Sequence, residues 1–275
     1  MASVQGACSW LLEASGHDAY ERYIVPAWMG GWAEDLVAAA GLAPGERVLD
    51  IACGTGIVAR KAAALVGPAG TVSGFDADRN MLRGAARYAA GEGLGDIEWQ
   101  AGDVACLPFA DGAYDAIFCQ QGLQFFPDRP GAVAEMHRVL ATDGRVALSA
   151  WRAMERIPLF VILADILGKY LALDATAIFH ASCSLSDREA LRSLFAQAGF
   201  RDIHVRVAVK VARYPDVAAF LPGYLSVFPI ASAIAAMEDA DRAGMLRCMA
   251  ASLDAFLDDD GLAVPMESHV LTARK

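Results

Sequence analysis

The residues best suited to hold a ligand in this sequence fall at three places. The first is Asp50, followed by the loop Ala52-Cys53-Gly54-Thr55-Gly56. It joins an apolar run (Val48, Leu49, Ile51) to a helical pattern beginning at Ile57. A strand, a tight glycine loop and a helix in this order aim backbone N–H groups and a helix N-terminus at whatever binds there. Glycine removes the Cβ atoms that would block close approach. Taken alone, such a loop fits many nucleotide-type ligands. The second place is Asp76, twenty residues after Gly56 at the end of Gly74-Phe75-Asp76. A carboxylate at the tip of the neighbouring strand can accept hydrogen bonds from a ribose diol. The third is Gly102-Asp103-Val104. Its carboxylate can accept from an exocyclic adenine amine, and an adjacent backbone N–H can donate to a ring nitrogen.

These residues need a sheet to bring them together, and the pattern supplies one. Strands are expected over 46–52, 71–76, 97–101, 113–119 and 145–151. The helices between them start near 56, at Asp78 as N-cap, and at Pro130. Alternating strands and helices imply an α/β fold with a parallel sheet covered on both faces. Ahead of it, residues 18–41 read as helix with a break near Pro26. Tyr20, Tyr23, Trp28 and Trp32 give that segment unusual aromatic weight. Most of them are expected in the core, with a lid over the ligand as the functional alternative. After Trp151 the rhythm changes. Residues 157–173 form an apolar helix, and 186–198 form another with Ser186 as its cap. A strand at 200–211 and a last strand near 267–273 close the chain, with helices over 216–257, broken near Pro222 and Pro229, between them. The acidic run Asp258-Asp259-Asp260 reads as a solvated turn rather than a metal site.

Composition narrows the function classes. The chain is 56% hydrophobic and 20% charged, with a formal net charge of −10. No basic face of the kind that binds nucleic acid is visible. The six cysteines include no CxxC pair, so neither a zinc site nor a redox pair is indicated. The most apolar stretch is interrupted by Asp165 and Lys169 and is short for a membrane span. The N-terminus lacks the charged and apolar regions of a signal peptide. The expectation is a single soluble, cytoplasmic domain spanning 1–275.

The ordered phrases VLDIACGTG, GFDADRNML, GDVACLPFADGAYDAIFCQQGLQFF and EMHRVLATDGRVALSAW resemble the class I S-adenosylmethionine-dependent methyltransferases. The likeness is strongest to the small-molecule branch that includes the ubiquinone and menaquinone biosynthesis enzymes. The resemblance implies a Rossmann-like, seven-stranded, mostly parallel sheet with an antiparallel last strand, S-adenosylmethionine as cofactor, and roles for matching residues. Asp50 and the backbone around Ala52, Cys53, Gly54 and Gly56 would hold the methionine end. Asp76 would bind the ribose, and Ala77 and Met81 would line the adenine. Gly102, Asp103 and Val104 would meet the adenine edge, and Gln120 would face the amino-acid or sulfonium region. The Asn-Pro-Pro-Tyr-type motif of nucleic-acid amino methyltransferases is absent, and Gln124 stands where many relatives carry histidine.

The acceptor is expected to be a small apolar or aromatic metabolite, methylated at oxygen, nitrogen or carbon. Its pocket would be closed by the helices at 18–41 and by insertions at 157–180 and 216–257, with Tyr20, Trp28, Phe125, Tyr224 and Phe228 as lining candidates. Methyl transfer is an in-line displacement that rests mainly on positioning, and only a weak nucleophile needs a base. Of the five histidines, His180 is the candidate for that role. Competing readings are a cyclase, isomerase or ligand-binding protein on the same fold, and a protein or RNA methyltransferase. A nicotinamide-dependent dehydrogenase is disfavoured because Ile57 and Val58 follow Gly56 where that fingerprint needs its third glycine.

Overall fold

The computed structural model describes residues 16–171, 177–228 and 230–275. Cys8, the end of the helix expected over 157–173, and the break expected at Pro229 lie outside the described residues. Four parallel strands form first: β1 (Arg47–Ile51), β2 (Thr71–Asp76), β3 (Glu98–Ala101) and β4 (Tyr114–Gln120). Helices α1 (Gly30–Ala40), α2 (Ile57–Val66), α3 (Arg79–Gly91) and α4 (Arg129–Val139) pack around them, and β5 (Leu140–Trp151) follows α4. The remaining elements are α5 (Pro158–Tyr170), α6 (Ala177–Ser182), α7 (Arg188–Gln197), β6 (Arg201–Tyr214), α8 (Val217–Leu225), α9 (Ala231–Ala235), α10 (Asp239–Leu253), β7 (Leu257–Asp258) and β8 (Gly261–Arg274).

The sheet order is β3-β2-β1-β4-β5-β8-β6. The last strand runs antiparallel to both β5 and β6. Two-residue β7 pairs with the start of β8 and brings the strand count to eight. Val48, Leu49 and Ile51 of β1 and Ile117 and Phe118 of β4 are fully buried, as strands covered on both faces require. The chain moves from β1 outward to β3 and then crosses to β4 on the other side of β1. This reversal opens a crevice at the carboxyl ends of β1 and β4, where α/β sheets bind ligands.

Several local expectations need correction. The segment Tyr20–Met29 does not break at Pro26 but winds as a π-helix, preceded by the turn His17–Ala19 and continued by α1. Gly30 N–H reaches back five residues to the Val25 carbonyl. The wider turn accommodates a proline that lacks an N–H and would crowd the carbonyl four residues earlier. Helix α7 is capped by Asp187, whose carboxylate accepts from Glu189 and Ala190, and not by Ser186. Helix α8 runs through Pro222-Gly223 without a break. A Cβ at Gly223 would lie 2.3 Å from the Tyr23 ring, so this glycine serves close packing instead. Strands β6 and β8 are each 14 residues long and pair over most of their length, which is why both outrun the alternating stretches visible in sequence.

Candidate active site

The glycine loop takes its shape from positive φ angles at Ala52, Gly54 and Gly56. A Cβ at Gly54 would meet nothing within 4 Å, so the loop presents open space at that point. A Cβ at Gly56 would lie 2.4 Å from the Trp99 ring, so that glycine serves the packing behind the loop. Asp76 braces the loop from the next strand. One of its oxygens accepts from Gly54 N–H and the other from Asp78 N–H, each at 2.8 Å. Each oxygen keeps a further lone pair for a ligand hydroxyl. Burial pushes the Asp76 carboxyl up from the ordinary value, against those backbone donors.

Asp50 lies deeper. Its Oδ2 accepts from Ala59 N–H at 3.0 Å, tying β1 to the first turns of α2, while its buried Oδ1 has no partner. Burial, with a smaller contribution from the Asp76 charge, raises its pKa to about 8. Cys53 is buried behind the loop, with its N–H on the Phe75 carbonyl. Asp103 is exposed past β3, and its Oδ1 accepts from Ala105 N–H, which leaves Oδ2 to solvent or ligand. At the tip of β4, Gln120 donates to the Met29 carbonyl at 3.0 Å, and its Oε1 is without a partner.

Asp76, Asp103, Gln120 and the loop at Ala52 and Gly54 border one cavity of about 600 Å³, within the size range of small-molecule sites. Ala52, Gly54, Asp76, Ala77, Met81, Gly102, Asp103, Val104 and Gln120 line its strand-tip half. Tyr20, Trp28, Phe125, Tyr224 and Phe228 line it too, on the apolar side. Asp50, Cys53 and Gly56 are not lining residues; they sit one layer behind the loop. His180 is exposed on α6 and does not line the cavity, because Ile178 and Phe179 take the buried positions of that short helix. Trp151, Phe160, Ile24 and Met29 also border the cavity. Trp151 ends a strand of the sheet and was open to the same strand-tip argument as Gln120. Phe160 lies in the apolar first half of its helix, Pro158 to Ala164, where no polar residue marks the outer face, so its facing could not be read from periodicity.

The polar half is rich in acceptors and negative charge: Gln120 Oε1 and the carboxylates of Asp76 and Asp103. It suits a ligand that brings hydrogen-bond donors and positive charge. A phosphate would meet carboxylates at the loop where nucleotide folds offer it only N–H groups.

Comparison with known proteins agrees with that polarity. A family model described as a methyltransferase domain matches residues 48–144. The chain is 30% identical over 186 residues to the demethylmenaquinone methyltransferase of Geobacillus kaustophilus, covering 64% of this chain and 79% of that one. The chain belongs to the class I S-adenosylmethionine-dependent methyltransferases. A second member, the nocamycin O-methyltransferase of Saccharothrix syringae, is 41% identical over 106 residues, 38% of each chain. Among solved structures, the phosphoethanolamine N-methyltransferase 2 of Haemonchus contortus, bound to S-adenosylhomocysteine, superposes with a TM-score of 0.62 at 19% identity. It covers 96% of this chain and 57% of its own, and shows a shared fold. The cofactor of this methyltransferase is S-adenosylmethionine, whose ammonium, sulfonium, ribose diol and adenine amine are the donors and positive charge that the acceptor-rich half of the cavity fits. No helix among the described residues is long and apolar enough to cross a membrane.

Proposed function

We propose that this methyltransferase acts on a small apolar or aromatic metabolite held beside the cofactor. The observation that carries the proposal is the aromatic half of the cavity. Trp28 lies 5.9 Å from Trp151 and 5.5 Å from Tyr224, and Phe160 lies 5.8 Å from Trp151, between ring centroids. These side chains come from the π-helical segment, β5, α5 and α8. They enclose a space suited to a ring or an acyl chain and not to a charged polymer.

On this reading the cofactor supplies an electrophilic methyl group on a sulfonium. Asp76 would accept from the ribose diol. Asp103, Gly102 and Val104 would meet the adenine, with Ala77 and Met81 beside it. Gln120 Oε1 and the backbone at Ala52 and Gly54 would receive the amino-acid end. Asp50 would act through the loop it braces. The aromatic wall excludes water and holds the acceptor in line, which can supply most of the catalysis of such a displacement.

Release of S-adenosylhomocysteine across a panel of acceptors tests the proposal. Turnover should favour aromatic and enolic compounds, and Phe160→Lys should abolish it while leaving S-adenosylmethionine binding intact. Turnover confined to peptides or RNA would overturn the assignment of acceptor class. Binding of the cofactor with no turnover of any acceptor would favour the cyclase, isomerase or ligand-binding alternative.

A further inference from the structure

Strand β6 ends the sheet and pairs on one side alone, with β8. Its even-numbered residues from His204 to Tyr214 lie opposite even-numbered residues of β8. Glu267 of β8 turns its carbonyl the other way, to the Arg152 N–H just past β5. In an antiparallel ladder the direction of the peptide groups alternates along each strand. Even-numbered residues of β8 therefore face β6, and the N–H and C=O groups of Val205, Val207, Val209 and Val211 point away from the sheet. The Ile203 carbonyl, in the same phase, is taken by Arg192 at 2.8 Å. No other element among the described residues supplies partners to the groups of the four valines.

The side chains add an apolar stripe to this open edge. Ile203 and Val205 are buried with Leu191 and Phe195 of α7. Val207, Val209 and Val211 continue the same face past the helix and are 43%, 58% and 50% exposed. Natural edges are commonly guarded by proline or an outward lysine. Strand β6 has no proline, and its one lysine, Lys210, turns to Asp35 at 3.0 Å on the opposite face, beside Trp32. The two ends of the edge also differ in charge. Arg188, Arg192 and Arg206 border a cavity at the start of β6, and no carboxylate borders it. At the far end the turn Asp258-Asp259-Asp260 is exposed, with Arg213 paired to Asp258 at 2.9 Å.

We propose that two copies of this chain associate edge to edge through β6, antiparallel about a twofold axis at Val209, as one continuous sheet. In this register Val207 of each copy faces Val211 of the other, and Val209 faces its own counterpart. Arg206 falls opposite Ala212 and Lys210 opposite Ala208, so no two cations face each other. An axis at Ala208 would set Arg206 against Lys210, and an axis at Lys210 would set that lysine against itself; like charges directly opposite are destabilising. The axis at Val209 also carries the arginine-bordered end of each strand to the acidic turn of the other copy. The outward peptide groups supply the main-chain bonds, and the valines supply the apolar contact, as in other strand additions. Such an isologous contact closes on itself as a dimer. The proposal does not depend on the identity of the methyl acceptor.

The test measures the solution mass of the full chain over a concentration series, with amide hydrogen exchange on the same samples. Wild type should move from 29.1 kDa toward twice that mass as concentration rises. The amides of Val207, Val209 and Val211 should gain protection in step with the dimer. Val209→Lys and Val209→Glu should each stay monomeric, because each sets like charges face to face at the axis, and mixing the two should restore the doubled mass. Both variants should bind S-adenosylmethionine as wild type does, which separates lost association from lost fold. A wild type that remains monomeric overturns the proposal, whether its valine amides exchange freely or are held by another part of its own chain. A dimer that both variants retain, or variants that do not associate on mixing, would overturn it too.

Discussion

Two carboxylates, Asp76 and Asp50, lie near one loop and do different work. Asp76 touches the cavity and has lone pairs to spare. Asp76→Ala should weaken S-adenosylmethionine binding by about 1–3 kcal/mol, the range for losing charge-assisted hydrogen bonds. Calorimetry on the folded variant reads this directly, and unchanged affinity would remove the ribose assignment. Asp50 is buried, and its pKa of about 8 lies above the ordinary 3.8. Between those values the ligand-free folded protein binds more protons than the unfolded chain, so Asp50's contribution to stability falls as pH rises through the window. The melting temperature of Asp50→Asn relative to wild type should therefore climb from the bottom of that window to its top. Parallel curves would contradict the raised pKa. Both carboxylates were legible as residues at strand ends. What could not be read was depth: spacing places Asp50 beside the loop but does not reveal that Ala59 holds it in the layer behind.

At the scale of elements, the helical segment ahead of the sheet is fastened to the ligand loop's own helix. Arg60, one turn into α2, meets Glu21 of the π-helical segment at 2.8 Å, and the two side chains are only 3% and 11% exposed. Arg60 also reaches Glu92 at 3.2 Å. Breaking such a pair from one side leaves a buried charge uncompensated. Arg60→Met should destabilise the fold by about 3–5 kcal/mol in urea unfolding, and Arg60→Met with Glu21→Leu should recover much of that loss. A double variant no better than the single would show that the pair is not the tie. The parallel strands and their helices were legible because apolar runs and caps fix them locally. The π-helix was not, because Pro26 in sequence reads as a break, and the contacts that hold the segment, Arg60 on Glu21 and the Tyr214 hydroxyl on the Tyr23 carbonyl, come from residues distant in sequence. The Ser186 cap failed for a similar reason: two capping types are adjacent, and geometry chose Asp187.

The whole molecule sets a polar half at the strand tips against an aromatic half within one cavity, and the parts that build the second half come from distant stretches of chain. Tyr224 and Phe228 follow Trp28 by roughly two hundred residues. No periodicity links them, so the polar half was readable from ordered motifs while the aromatic half was readable only as composition. The formal charge of −10 fits the division, since a cationic cofactor is drawn to an acidic surface and a polyanionic polymer is not. The central claim is that the methyl group passes from S-adenosylmethionine to a small apolar molecule inside this cavity. The most direct measurement is to supply the enzyme with methyl-labelled S-adenosylmethionine and an unfractionated metabolite extract, then follow the label. The label should enter a low-mass fraction that partitions into organic solvent, and Phe160→Lys should prevent this while still binding the cofactor. Label in protein or RNA, or none transferred by wild type across extracts that contain aromatic and enolic metabolites, would contradict the account.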